Sequence, residues 1–197
     1  MKCVINVFLI LTMYWMMGIG LSQANTIINF GPREARIDGS IPYSVIGKYR
    51  AQFRVFKGRI TADDNFQDIK SVNLEIQAGS ITSSSLWCDR LARSHRLLNA
   101  AKYPKIIFKS LSIIHHEGVY QVKGILAMHG VKRVMTFPFS IKRINRLQAD
   151  EEILVIQGSW VFNRKDFNIV WNKVLDRGGI IVGDDVTVNW GIKAQIK

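Results

Sequence analysis

The stretch that decides the fold lies near the end of the sequence and reads Asp185-Val-Thr-Val-Asn-Trp-Gly-Ile-Lys-Ala-Gln-Ile196. Apolar side chains occupy its even-numbered positions, while polar side chains and one glycine occupy its odd-numbered positions. Successive side chains of a β-strand point to opposite faces of a sheet. The alternation therefore predicts a strand with one apolar and one polar face.

Four earlier stretches repeat this alternation, at residues 72–76, 120–128, 135–141 and 154–162. Short turn signals separate strands of this kind, at Asp63-Asp64-Asn65, His116-Glu117-Gly118 and His129-Gly130. Strands joined by such short turns must be antiparallel neighbours. A sheet with one apolar face has to cover that face, either with a second sheet or by closing on itself. The sequence thus predicts an all-β chain of about eight strands in an up-and-down antiparallel β-barrel.

One segment, Ser83 to Ala101, departs from this pattern. Three serines at 83–85 are candidate N-caps, and Asp89 lies soon after them, where an acidic residue favours the first turns of a helix. Tyr103-Pro104 ends the segment. We expect a helix or two short turns across one mouth of the barrel, either with a role in binding or as a plain crossover.

The first 24 residues have the pattern of a secretory signal. Lys2 precedes an apolar run from Val4 to Leu21, and Ser22-Gln23-Ala24 supplies a small-x-small site. We expect cleavage after Ala24, which leaves residues 25–197 as one barrel domain in the periplasm or outside the cell. The alternative is an uncleaved membrane anchor, since the run is near the minimum length for spanning a bilayer.

Charge is the unusual feature of the composition. The chain of 197 residues has 27 Lys and Arg against 15 Asp and Glu, a formal net charge of +12. Nucleic acid, anionic lipid and acidic small molecules are the partners to consider. An exported protein does not meet nucleic acid by default, and no recognition motif for it is present. Cys88 would be the single cysteine after cleavage, so an internal disulfide is excluded.

Several motifs together resemble the YceI-like, polyisoprenoid-binding family. They occur in the family's order between about residues 53 and 194: Phe53-x-x-Phe56-x-Gly58, Asp89-x-x-x-Arg93-Ser94-x-x-Leu97-Leu98-Asn99-x-x-x-Tyr103-Pro104-x-Ile106-x-Phe108-x-Ser110, Leu126-x-Met128-His129-Gly130-Val131-Lys132-Arg133, Arg164-Lys165-Asp166-Phe167-Asn168-Ile169 and Val182-Gly183-Asp184-Asp185-Val186. The resemblance implies a lipocalin-like barrel of eight antiparallel strands in an exported bacterial protein. It also implies a cavity that takes a long isoprenoid tail, as in carriers of quinones or polyprenyl lipids.

A dry apolar cavity is what binding such a tail requires. The inward-facing residues predicted to line it are Leu74, Phe108, Leu126, Met128, Phe137, Trp160, Phe162, Val188 and Trp190. The same side chains could instead fill the interior, because an eight-stranded barrel can either pack shut or hold one slender ligand. Arg93 has two interpretations as well: a helical ion pair with Asp89, or a contact to an anionic head group at the mouth.

Neither a metal site nor catalysis is predicted. No cysteine or carboxylate accompanies the four histidines at metal-ligand spacing, and no nucleophile motif, phosphate loop or catalytic carboxylate pair is present. The Arg164-Lys165-Asp166 run is interpreted as a charge cluster at a strand end. The sequence therefore predicts a lipid-binding carrier or sequestering protein, with no cofactor beyond a bound polyisoprenoid or quinone-type lipid. The alternative is a basic module that docks on anionic membrane or polysaccharide without an internal ligand.

Overall fold

A computed structural model describes residues 25–43, 47–146, 151–171 and 182–196 of the chain. The predicted signal segment, residues 1–24, lies outside the described residues. The strands are β1 Asn25–Phe30, β2 Ala35–Tyr43, β3 Gly47–Phe53, β4 Phe56–Asp63, β5 Ile69–Gln77, β6 Ile81–Thr82, β7 Lys105–His116, β8 Val119–Met128, β9 Val131–Arg146, β10 Glu151–Asn163 and β11 Asp185–Ile196. One α-helix, α1 Leu86–Arg93, and two 3₁₀ turns, Ala78–Ser80 and Arg164–Phe167, complete the described elements.

All strands belong to one curled antiparallel sheet, with the order β1-β4-β5-β7-β8-β9-β10-β11-β2-β3-β6. Neighbours from β7 to β11 are consecutive in the chain, as the up-and-down prediction requires. Strand β11 then pairs with β2, so a strand from late in the chain lies beside one from its early part. The prediction of an all-β, lipocalin-like antiparallel barrel is confirmed.

The predicted count of about eight strands was wrong, since the described part of the chain contains eleven. Two bends explain much of the difference. Arg54 and Val55 divide one long strand into β3, which pairs with β2, and β4, which pairs with β1 and β5. The 3₁₀ turn Ala78–Ser80 separates β5 from the two-residue β6 in the same way. Backbone hydrogen bonds between the two bends, such as Gln77 N to Val55 O at 3.0 Å, continue the pairing.

The longest ladder joins β10 to β11 in twelve residue pairs, from Glu152 opposite Ile196 to Asn163 opposite Asp185. This is the stretch whose alternation is clearest in the sequence. The register of this ladder places Trp190 opposite Gly158. A Cβ added at Gly158 would lie 2.7 Å from the indole ring of Trp190. Glycine is therefore required at position 158, because the ring of Trp190 occupies the space that any side chain there would need.

The core lies on the concave face of the sheet. Strand β8 shows the pattern, with Tyr120, Val122 and Leu126 buried while Gln121 and Lys123 are exposed. On β10, Leu154 and Ile156 are almost completely buried. Burying an aliphatic side chain of this size contributes roughly 1.5–3 kcal/mol, so the inward face supplies most of the stability.

Helix α1 begins as the serine run predicts. The Ser85 side chain accepts a hydrogen bond from the backbone N–H of Cys88 at 3.4 Å, which makes Ser85 the N-cap. The helix ends at Arg93, and turns lead from there to Tyr103. Within the described residues, no helix combines the length and hydrophobicity needed to cross a membrane.

Candidate functional site

An apolar cavity of about 240 Å³ lies inside the barrel. All nine side chains predicted to face the interior line it, from Leu74 on β5 to Trp190 on β11. The barrel is therefore not packed shut. Its aromatic side chains face the interior and leave a cavity between them. Contact of these nine residues with a ligand stays a prediction.

Aromatic rings form a connected wall on one side of the cavity. The ring of Phe137 stacks on Trp160 at 4.8 Å between centroids and lies 5.2 Å from Phe108. Trp160 in turn contacts Phe162 at 5.6 Å. Such pairs are stabilised beyond the area they bury, so the wall holds its shape while it faces an open space.

Sequence reasoning missed part of the lining. Strands β2 and β3 contribute Ile37, Gly39, Ile41 and Ala51, and α1 with its following turn contributes residues such as Leu97. The alternation Ile37-x-Gly39-x-Ile41 was the available signal, although a glycine in the middle position conceals it. The residues of the helical segment carry no period-two pattern, so their inward direction could not be predicted from the sequence.

Gly39 marks the place where the cavity reaches the backbone. A Cβ built on Gly39 would meet no atom within 4 Å, and its partners across the sheet are Val188 and Ala51. Both partners line the cavity too. A side chain at position 39 would therefore enter empty space inside the barrel.

Arg93 is held by the protein itself and does not line the cavity. Its Nε and Nη2 donate to the carbonyl oxygen of Ile81 at 3.2 and 2.6 Å. Nη2 also lies 3.9 Å from Oδ2 of Asp89, the helical ion pair that the sequence spacing suggests. A contact of Arg93 with a lipid head group stays a prediction.

Asp89 is the centre of a buried hydrogen-bond cluster beneath α1, with only 1% of the residue exposed. Its carboxylate accepts from the Ser83 hydroxyl at 2.6 Å, the Ser83 backbone N–H at 3.1 Å, the Tyr49 hydroxyl at 3.0 Å and the Thr82 hydroxyl at 3.3 Å. Burial alone would raise the pKa of Asp89, but these hydrogen bonds outweigh it and lower the pKa below its ordinary value. The cluster fixes α1 to strands β3 and β6.

The Tyr49 hydroxyl belongs to the same cluster, and its ring lines the cavity. Burial, the opposing hydrogen bond with Ser83 and the hydrogen bond to Asp89 together raise the pKa of Tyr49 to about 12, with burial as the largest cause. Tyr49 therefore remains a neutral donor across the physiological range. Its ring faces the cavity while its polar tip stays occupied by protein.

Arg164 lies directly after β10, in the segment interpreted from the sequence as a charge cluster at a strand end, and its side chain is only 2% exposed. Its guanidinium donates to the carbonyl oxygens of Gly183, Ile169 and Trp171, each at 2.8 Å, and more weakly to that of Val182. It also pairs with Asp184 at 3.1 Å. Arg164 borders the cavity, yet the chain itself satisfies its donors.

The polar side chains yield no metal centre within the described ranges, where His, Cys, Asp and Glu do not gather into a group that could hold an ion. His129 is turned toward Phe167, with Nδ1 3.0 Å from the Phe167 carbonyl oxygen. One polar atom of the cavity wall, the indole nitrogen of Trp160, is buried and has no hydrogen-bond partner in the described part of the chain.

Comparisons with known proteins agree with this architecture. A UPF0312 protein of Staphylococcus aureus is 21% identical over 162 residues, which cover 82% of this chain and 92% of the relative. Protein YceI of Salmonella arizonae is 30% identical over 84 residues, or 43% of this chain and 44% of the relative.

Two solved structures share the fold. Burkholderia cenocepacia BcnA superposes with a TM-score of 0.69 at 18% identity, covering 81% of this chain and 96% of BcnA. A polyisoprenoid binding domain from Saccharophagus degradans, implicated in plant cell wall breakdown, superposes with a TM-score of 0.61 at 13% identity, covering 86% and 98% of the two chains. The family model for the YceI-like domain matches residues 23–194. The chain therefore belongs to the YceI-like domain family.

Proposed function

We propose that the protein binds an isoprenoid chain inside its barrel and acts as a carrier or sequestering protein for that lipid. The observation that carries this proposal is the apolar cavity of about 240 Å³, enclosed by aliphatic and aromatic side chains on the concave face of the sheet. The polyisoprenoid binding domain from Saccharophagus degradans, which has the same fold, supports the choice of ligand class.

The cavity's size indicates how much of a chain it accommodates. A water molecule occupies roughly 30 Å³ in the liquid, and a methylene group is of similar size, so 240 Å³ corresponds to about eight chain carbons. That is between one and two isoprene units. At about 0.8 kcal/mol per buried methylene, their burial contributes about 6 kcal/mol to binding. A longer isoprenoid would project from the barrel or widen it by moving the aromatic wall.

The polar groups around the cavity are consistent with a predominantly hydrocarbon ligand. Arg164 and Tyr49 both line the cavity, but the Arg164 guanidinium and the Tyr49 hydroxyl are each hydrogen-bonded to protein groups. They do not present a free charge to a ligand inside the barrel. Recognition would then rest on the shape and dryness of the cavity, a mode that suits a branched hydrocarbon tail.

Export is the second part of the proposal. The apolar run from Val4 to Leu21 and the small-x-small site ending at Ala24 support a secretory signal and a periplasmic or secreted barrel. A water-filled compartment beside a membrane is where an insoluble lipid needs a carrier. The protein is proposed to bind its lipid without transforming it and to require no cofactor other than that ligand.

Lipid extraction tests the proposal directly. The protein is purified without detergent from its source cells, extracted with organic solvent and analysed by mass spectrometry beside an extract of the same membranes. We expect a prenol, polyprenyl or quinone-type lipid enriched relative to the membrane extract. Purified protein that carries no lipid, and that also fails to bind an added isoprenoid alcohol, would refute the proposal.

A further inference from the structure

Helix α1 reverses the usual distribution of polar and apolar side chains. It buries its acidic residue, Asp89, to 1% exposure, while the two large apolar residues of its first turn, Leu86 and Trp87, are 76% and 61% exposed. A buried carboxylate with two adjacent apolar side chains exposed departs from ordinary burial. The hydrogen-bond cluster around Asp89 fixes this orientation, so the exposure of Leu86 and Trp87 is built into the fold.

Exposed basic residues occur in the same segment as this apolar pair. Arg90 is exposed and follows Leu86 by four residues and Trp87 by three, so the three side chains share one face of the helix. Arg96 and Lys102, in the turns after the helix, are exposed as well. Asp89 is the single acidic residue between positions 83 and 104, and it is buried. The exposed charged side chains of the segment are therefore all basic.

We propose that Leu86, Trp87 and Arg90 form a docking surface for the headgroup region of an anionic lipid bilayer. A tryptophan ring is stable at the boundary between headgroups and acyl chains, and a neighbouring arginine attracts anionic phosphates. Two exposed apolar residues insert little area by themselves, so the basic residues are needed for useful affinity. The formal net charge of +12 acts in the same direction over longer distances.

Docking through this surface would bring the bilayer close to the barrel cavity. The inner side of the same segment lines the barrel cavity through Ala92, Leu97 and Leu98. Docking through Leu86 and Trp87 would thus place the bilayer against the element that covers part of the cavity. The docking proposal stands without an internal ligand, and membrane binding can be measured separately from isoprenoid binding.

The test is cosedimentation with vesicles of phosphatidylcholine containing about one-third phosphatidylglycerol, compared with pure phosphatidylcholine. The protein used in this experiment consists of residues 25–197, which include every described strand. The apolar run from Val4 to Leu21 is omitted because it would bind lipid itself. Circular dichroism first establishes that each variant is folded. We expect binding to the anionic vesicles that weakens as salt screens the charges, and weak or no binding to the neutral ones.

Matched variants locate the surface. Leu86→Ser with Trp87→Ser should weaken anionic-vesicle binding about tenfold or more, and Arg90→Gln alone should weaken it about fivefold. Val134→Ser, a 56%-exposed apolar residue on β9, and Arg33→Gln, an exposed residue between β1 and β2, should change it less than twofold. Equal losses in the α1 and control variants would overturn the proposal. So would a wild-type protein that binds neither vesicle, or binding unaffected by salt.

Discussion

At the residue scale, the cavity wall contains one unsatisfied polar atom, the indole N–H of Trp160. The atom is buried and unpaired among the described residues, although the ring stacks well on Phe137. A buried donor without an acceptor costs about 1–3 kcal/mol. Trp160 therefore stabilises the fold through its ring and destabilises it through its unpaired N–H. The destabilising part can be measured.

Trp160→Phe tests that cost against Trp190→Phe as a matched control. Both changes leave a void, but only the first removes an unpaired buried N–H. We expect Trp160→Phe to lower the free energy of unfolding less than Trp190→Phe does, by about 1–2 kcal/mol. Urea denaturation of the two variants provides the measurement. An equal or greater loss at position 160 would show that its N–H is satisfied.

Asp89 makes stability depend on pH. Because its pKa is lower in the folded than in the unfolded protein, its contribution is complete above the ordinary aspartate pKa near 4. That contribution disappears as the pH falls from there through the folded-state pKa. Asp89→Asn should cost about 2 kcal/mol at neutral pH, since donors from Ser83 and Tyr49 lose a charged acceptor.

The discriminating readout for Asp89 is the pH profile of the unfolding midpoint below pH 5. Wild type should lose stability more steeply than Asp89→Asn, so that the two curves converge in acid. Asp38→Asn, which removes the partly buried partner of the exposed Arg36, serves as the control and should preserve the wild-type slope. Parallel curves for wild type and Asp89→Asn would contradict the assigned role of the carboxylate.

At the element scale, Arg164 joins the 3₁₀ turn after β10 to the residues that lead into β11. It donates to backbone carbonyl oxygens on both sides of the connection, at Ile169 and Trp171 and at Gly183. Burial lowers the pKa of Arg164, while Asp184 opposes that effect. The Arg164 side chain therefore connects these two segments by hydrogen bonds, and Arg164 also lines the cavity.

Arg164→Met should lower the free energy of unfolding by about 3 kcal/mol, because several buried carbonyl oxygens lose their donors together. Lys165→Met is the control, since Lys165 reaches the same Asp184 carboxylate at 2.6 Å but is itself half exposed. Exposed pairs contribute little, so the control should remain close to wild type. Thermal or chemical unfolding compares the two. Similar losses in both variants would assign the effect to Asp184 instead.

The sequence predicts these elements unevenly, for physical reasons. Strand β11 and the inward face of β8 can be predicted from the sequence, because apolar and polar residues alternate in a strand that has one buried face. The burial of Arg164 could not be predicted, because most of its partners are backbone carbonyl oxygens. Every residue has one, so the sequence does not show which of them accept from Arg164. The bend at Arg54 and Val55 was also hidden, because a strand can turn there without proline or glycine.

On the scale of the whole molecule, the protein combines an apolar interior with a basic exterior. The sequence predicts nine lining residues, eight of them within the alternating stretches, and the structure places all nine around one cavity. It could not predict that the cavity stays open, because volume depends on how side chains from many strands meet. Gly39 contributes to that outcome, since a larger residue there would fill the space.

If the cavity itself holds the isoprenoid chain, filling it should weaken binding, and two glycine variants distinguish this from binding elsewhere. Gly39 faces the cavity, whereas Gly191, on the neighbouring strand β11, lies between the inward-facing Trp190 and Ile192 and so points outward. Gly39→Leu therefore fills the cavity, while Gly191→Leu adds the same side chain outside it. The measurement is calorimetric titration of each folded variant with a C20 isoprenoid alcohol.

Wild type and Gly191→Leu should bind the alcohol with the same affinity, and Gly39→Leu should bind at least about tenfold more weakly. Half or more of the space for about eight chain carbons would then be occupied by the new side chain. Binding by Gly39→Leu at wild-type affinity would place the lipid elsewhere and refute binding inside the barrel.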